Sequence, residues 1–313
     1  MTTQTQSPNR PAPSGGFWRP LGSNIWLLLM LNAFSWGGNV VAARLAVGTI
    51  SPMALITLRW AIVSLLFGVF LRRQFSRELA ELWPHRYRLL MLGAFGVTLP
   101  NALIYESARF TSGVNLAIIQ GVSPVLVLIG AWIAFGSRIG VIRGLGAMMT
   151  LAGVALIAIR GDLAGLATLS FNGGDLLVFL GAVTAAGYTL ALRNPPKLSP
   201  VALFVGVAIA AFVSSVPTLM VEMAAGGTIW PRGQGLLVLL YVAVFTSIVG
   251  HATFMRIIAL IGPGRASLFQ NLVPIIGAFL SVWLLGETFY VYHAIALALV
   301  IGGIFVSERL GKR

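Results

Sequence analysis

The sequence predicts an all-α integral membrane protein of ten transmembrane helices, arranged as two inverted five-helix repeats. Three observations lead there. The chain of 313 residues is 58% hydrophobic and 9% charged, with a mean hydropathy of +0.91. That is more apolar surface than a soluble domain of this length can bury, and lipid is the solvent that accepts it. The apolar residues fall into stretches of membrane-spanning length, and one of those stretches is written twice.

Residues 1–23 are polar and rich in Pro, Ser and Gly. No charged segment runs directly into an apolar core there, so a disordered tail followed by an uncleaved first span is expected. A bilayer core takes about 20 mostly apolar residues per helix. On that rule the spans run over 24–43, 52–71, 88–108, 112–135, 139–159, 173–193, 199–222, 234–258, 263–285 and 289–307. Pro52, Pro200 and Pro263 stand near helix starts, where a missing N–H costs little. Pro100, Pro124, Pro217 and Pro274 lie inside spans and are expected to kink them and free backbone groups. The longest internal connection, RRQFSRELAELWPHRYR (72–88), places Phe75, Leu79, Leu82 and Trp83 at helical spacing and is expected to lie along the membrane interface.

The net charge of +13 is explained by its placement. With the N-terminus inside, sixteen of the 21 Lys and Arg fall on the tails and the even-numbered connections, while Arg44, Arg109, Arg160 and Arg232 fall on the other side and Arg59 lies within a span. Basic residues concentrate on cytoplasmic loops, so both termini are expected in the cytoplasm, and no nucleic-acid partner is implied. The absence of Cys excludes disulfides, thiolate metal sites and Cys nucleophiles. His85, His251 and His293 are scattered, so no metal or cofactor is expected, and no phosphate-binding loop of the G-x-x-x-x-G-K-[ST] type occurs.

The duplicated stretch is AIIQGVSPVLVLIGAWIAFG (117–136) and SLFQNLVPIIGAFLSVWLLG (267–286), which align Gln120 with Gln270, Pro124 with Pro274 and Gly136 with Gly286. In the same register Asn101 matches His251 and Gly153 matches Gly303, while SPMAL (51–55) is echoed by SPVAL (199–203). The halves are therefore 24–160 and 161–313, the second ending in a short tail. Because five spans is an odd number, the second copy enters the membrane upside down. Such inversion gives two nearly equivalent arrangements, one open to each side, and predicts a secondary transporter with a site at the midplane.

The ordered motifs resemble the drug/metabolite transporter superfamily in its EamA-type branch. The likeness rests on Q-x-x-x-P in spans 4 and 9, WLLGE (283–287), and the Gly-rich GLGAMMTLAGVALI (144–157) and ALALVIGGIFV (296–306), and it covers nearly all of 24–307. Where the family carries Gly-Glu at the end of span 4, this chain has Gly136-Ser137. The look is closest to the bacterial amino-acid exporters of that branch, aromatic ones included. The resemblance implies export of small amphipathic metabolites by alternating access across the inner membrane, with no obligate protein partner. Export of amphipathic drugs or quaternary cations is the alternative.

Polar residues inside spans are costly in lipid and tend to face a cavity or another helix. The candidate binding residues are Trp36, Asn39, Asn101, Tyr105, Gln120, Tyr188, His251, Gln270 and Asn271. Gln120 and Gln270 each precede a kinking Pro, and Asn101 and His251 each follow a helix-loosening residue. Freed backbone groups there could hold the carboxylate and ammonium of an amino acid, and the aromatic faces could stack on its side chain. Ser247 and His251, one turn apart, could meet on one face, but without an orienting acid they make a poor enzyme. Glu106, the only acid placed to enter the membrane, is expected to pair with Arg59 or Arg109.

Overall fold

The computed structural model describes residues 24–70, 81–136, 139–159, 161, 172–261, 269–270 and 272–309. The tail 1–23, most of the 72–88 connection and the candidate Asn271 lie outside the described residues. Among the described residues there is no strand. The elements are α1 (Ile25–Ala46), α2 (Pro52–Phe70), α3 (Arg86–Gly93), a π-helical stretch π1 (Ala94–Thr98), α4 (Leu99–Ser107), α5 (Gly113–Gln120), α6 (Ser123–Phe135) and α7 (Val141–Ala158). They continue with α8 (Gly173–Ala191), α9 (Pro200–Ala224), α10 (Gln234–Tyr241), π2 (Val242–Val249), α11 (Gly250–Ile261), α12 (Leu272–Leu285) and α13 (Val291–Arg309).

Seven helical stretches are long and apolar enough to cross a membrane, and three more apolar helices, Val141–Ile157, Leu272–Leu285 and Val291–Ser307, are shorter. Large apolar side chains such as Leu65, Ile133, Leu237 and Val291 are exposed on the bundle surface, as lipid contact requires. Helix starts are capped where the sequence supplies oxygen: Asn24 Oδ1 accepts from Trp26 N at 3.1 Å, Ser112 Oγ from Asn115 N at 3.1 Å, and Ser199 Oγ from Ala202 N at 3.0 Å. The connection 72–88 is seen only at its end, a short 3₁₀ turn over Trp83–His85, where the Arg86 guanidinium stands over the Trp83 and Tyr87 rings at 4.9 and 4.5 Å.

The internal prolines act differently from simple kinks. Pro100 lies in the first turn of α4 after π1, Pro124 in the first turn of α6, and Pro274 near the start of α12. Pro124 and Pro274 therefore sit where an absent N–H is unpaired anyway, whereas Pro100 directly follows π1 inside the helical run Trp83–Ser107. The breaks fall just before Pro124 and Pro274: two turn residues, Gly121 and Val122, separate α5 from α6, and Gln270 is a turn residue ahead of α12. Pro217 also lies in a helix interior, and α9 runs through it.

The Gly-rich helices α7 and α13 pack along each other. A Cβ at Gly303 would stand 2.4 Å from Gly146 O, and one at Gly153 2.7 Å from Ala296 O. Such approach needs glycine and replaces the hydrophobic force that lipid removes with close backbone contact. Helix α1 lies at the centre, against α5, π2, α11 and α12.

One end of the bundle is tied shut by polar contacts. Glu287 accepts from Gly113 N (2.8 Å) and Val114 N (2.9 Å) at the start of α5 and pairs with Arg44 Nε at 3.3 Å. Arg44 also donates to Ala108 O. Beside them Thr111 Oγ1 donates to Asp175, Asn115 Nδ2 donates to Thr111 Oγ1 at 3.2 Å, and His293 Nε2 donates to Asn115 Oδ1 at 3.2 Å. Glu222 accepts from Ser51 Oγ at 2.6 Å at the same end, joining α9 to the start of α2.

Candidate functional site

Four of the candidate residues converge on Arg59. This side chain projects from α2 and is 3% exposed. Its Nε donates to Ser247 Oγ at 2.6 Å, and its Nη1 donates to Asn101 Oδ1 at 3.1 Å and Tyr105 OH at 2.9 Å. Tyr105 OH donates onward to Asn39 Oδ1 at 3.0 Å. His251 joins through backbone, its Nδ1 donating to Ser247 O at 2.8 Å. Four helical spans thus meet at one guanidinium.

The π-helical stretches build this meeting point. π1 precedes Asn101 and π2 precedes His251, the pair matched in sequence register. A π turn widens the helix and leaves carbonyls free for other donors, and such turns mark functional sites. Here the freed groups are used: Val97 O accepts from Asn101 Nδ2 at 2.7 Å, Thr246 O from Trp36 Nε1 at 3.1 Å, and Ser247 Oγ donates to Val242 O at 3.0 Å. Asn32 Nδ2 reaches Gly250 O at 2.8 Å and locks α1 onto the end of π2.

Trp36, Gln120 and Gln270 line a cavity of about 430 Å³, together with Ser123, Pro124, Thr189 and Pro274 among others. Both helix breaks open onto it. Gln120 Nε2 bonds only within its own helix, to Leu116 O at 3.0 Å, and Gln120 O accepts from Ser123 Oγ at 2.9 Å. Trp36 connects the two features: it lines the cavity, and its ring meets His251 edge-on at 5.6 Å. A second cavity, of about 530 Å³ between α1, α10 and α12, is almost wholly apolar and flanked by exposed Phe34, Leu237 and Phe245, as a lipid-facing groove would be.

Tyr188 does not join either group. Its ring packs on Gly96 of π1 and against the buried cluster of Leu82, Leu89 and Leu92, and the neighbouring Thr189 faces the cavity instead. Glu106 pairs with Arg109 at 3.0 Å, and no carboxylate among the described residues lies within ion-pair distance of Arg59. The residue that sequence reasoning treated only as an ion-pair partner is therefore the hub. Ser247 and His251 make no nucleophile–base pair, since the imidazole bonds the Ser247 carbonyl while the hydroxyl serves Val242 and Arg59.

Discontinuous helices facing an internal cavity, in a chain of apolar helices, define a multi-pass membrane transporter. The EamA-like transporter family matches residues 24–159 and again 172–308, and the chain belongs to that family. Relatives include the uncharacterized transporter YyaM of Bacillus subtilis, 27% identical over 91% of this chain and 93% of that one. An uncharacterized transporter of Archaeoglobus fulgidus is 23% identical over 91% and 98% of the two chains. The uncharacterized inner membrane transporter YedA of Escherichia coli K12 is 24% identical over 88% of each. A solved crystal structure shares the fold, with a TM-score of 0.62 and 20% identity over 92% of this chain and 98% of the other.

Proposed function

We propose that the chain exports small amphipathic metabolites, amino acids including aromatic ones, by alternating access across the inner membrane. The three shorter apolar helices complete ten spans with the seven longer ones, as two inverted five-helix units with both termini in the cytoplasm. The observation that carries the reading is the pair of helix breaks at Gln120 and Gln270, matched in sequence register and facing one cavity. A volume of about 430 Å³ suits a single amino acid, and pockets for small molecules run from about 300 to 1,000 Å³. Trp36 offers an apolar face, and the glutamines and free carbonyls offer polar anchors.

Export of amphipathic drugs or quaternary cations is the second reading. It wants a buried acid, and no carboxylate among the described residues lines the cavity. The test is counterflow in proteoliposomes against amino acids, quaternary ammonium compounds and sugars. Amino acids are expected to compete, with competition weakened in Gln120→Leu and Gln270→Leu. Competition by quaternary ammonium compounds alone would replace the first reading with the second.

A further inference from the structure

An arginine buried at membrane depth, with no carboxylate among the described residues beside it, asks for a partner. Arg59 stands seven residues into α2, about 10 Å along the helix axis. A charge there is costly unless it is paired or serves transport. Burial is near complete, yet every partner found is neutral: Ser247 Oγ, Asn101 Oδ1, Tyr105 OH and the Trp60 ring at 4.9 Å. The chain has only eight acids. Those with described partners are engaged elsewhere: Glu106 with Arg109, Glu287 with Arg44, Asp175 with Thr111 and Asn115, and Glu222 with Ser51. Hydrogen bonds hold the guanidinium in place but do not neutralise it.

We propose that Arg59 is the anchor for a carboxylate group of the transported solute, so that the cargo itself supplies the missing counter-charge. This rests on the transporter reading above and narrows it to solutes bearing an anion. The fork of a guanidinium matches a carboxylate, and such pairing is stronger than any of the neutral contacts it would replace. Asn39, Asn101 and His251 around Arg59 are half-buried, and His251 meets the ring of Trp36, which lines the cavity, at 5.6 Å. The indole is held by a hydrogen bond to Thr246 O at 3.1 Å and by ring contacts with His251 and Phe254, and on this proposal it moves aside so that the cavity reaches Arg59. The carboxylate would then sit at Arg59 while the rest of the solute occupies the 430 Å³ space. The hub also touches four spans, so loading it reports to the parts that must rock.

The test uses the purified full-length chain in lipid nanodiscs, with thermal unfolding read against three probes: L-phenylalanine, phenylacetate, which has the carboxylate alone, and phenethylamine, which has the amine alone. The first two are expected to raise Tm and the third is not. In Arg59→Gln the half-saturating concentration of L-phenylalanine is expected to rise about tenfold or more, as loss of a charge-assisted hydrogen bond implies, with Arg59→Lys intermediate. Should the Gln variant fail to fold, the Lys variant and the wild-type ranking of the probes carry the test. Equal stabilisation by phenethylamine, no stabilisation by either carboxylate, or an unchanged half-saturation in the Arg59 variants overturns the proposal. Stabilisation by phenylacetate but not L-phenylalanine keeps the anchor and removes the amino-acid reading. Counterflow of amino acids that ignores Arg59→Gln keeps the amino-acid reading and removes the anchor.

Discussion

Replacing Glu287 with Gln tests how one mouth of the bundle is held shut. The carboxylate accepts two backbone N–H groups at the start of α5, at 2.8 and 2.9 Å, and faces Arg44 Nε at 3.3 Å. Its side chain is 12% exposed, against 33% for Arg44. Hydrogen bonds to a charged group contribute about 1.5–3 kcal/mol each, and a negative charge on a helix N-terminus adds about 0.3–1 kcal/mol. The Arg44 pair is discounted because that partner is a third exposed. Glutamine keeps one acceptor oxygen and loses the charge, so the closed mouth is expected to lose about 2–4 kcal/mol. If these contacts break on opening, the open population rises about 30- to 1,000-fold.

The chain has no Cys, so one engineered thiol gives a clean readout. Ser281 is fully buried, and its hydroxyl lies beside Gly113 beneath the Glu287 contact. Ser281→Cys is expected to react slowly with a membrane-impermeant maleimide, and at least about tenfold faster once Glu287→Gln is added. Arg44→Gln is expected to accelerate labelling less, in line with its exposure. An unchanged labelling rate in a folded Glu287→Gln protein would refute the assignment of this contact as a latch.

Two further outcomes follow from packing and exposure. Gly303→Val would drive side-chain carbon onto Gly146 O, where even a Cβ comes within 2.4 Å; a loss of about 1–3 kcal/mol or more is expected, read as a lower Tm and a poorer gel-filtration profile, and a wild-type Tm would show that α7 and α13 can separate freely. Glu106→Gln removes an ion pair whose side chains are 35% and 43% exposed, so stability is expected to change by less than about 1 kcal/mol, with transport retained; a folded but inactive variant would give Glu106 a functional role.

Much of this architecture could be read from the sequence because lipid imposes a simple rule on composition. The helices and the placing of Gln120 and Gln270 beside helix breaks follow from apolar length and the register of the echo; the glycines of α7 and α13 stand out in the sequence, but their mutual contact is seen only in the structure. Other features have no compositional signature. In π2 the Trp36 indole from another helix takes up Thr246 O, and in π1 the Asn101 side chain takes up Val97 O, pairings that no apolar pattern announces. The exchange of Tyr188 for Thr189 at the cavity is a matter of about 100° of helix rotation, which the apolar pattern of that span does not fix. Arg59 is visible as a cation in an apolar span, and charge pairing offers Glu106 to Arg59 or to Arg109. The structure pairs Glu106 with Arg109, one turn away. Glu287 lies 174 residues from the backbone it caps, a separation that no local pattern reports.

The two halves are unequal at the point where Glu287 acts, and the sequence supplies a reason. In the register of the echo, Glu287 corresponds to Ser137, and the N–H donors Gly113 and Val114 correspond to Pro263 and Gly264. Proline has no N–H to give, so the sequence offers one backbone donor in that register where the start of α5 offers two. A two-donor cap of the Glu287 kind would need an acid at 137 and an N–H at 263, and the sequence supplies neither. Installing the acid alone, as Ser137→Glu, is therefore expected to leave labelling of Ser281→Cys close to its original rate. Adding Pro263→Gly supplies the second N–H, and if the two repeats work by the proposed alternating access, the pair of substitutions is expected to raise the labelling rate of Ser281→Cys. Acceleration by Ser137→Glu alone would mean that charge, without the paired backbone donors, is enough to hold a mouth closed, and the account of Glu287 as a two-donor cap would have to give way to a purely electrostatic one.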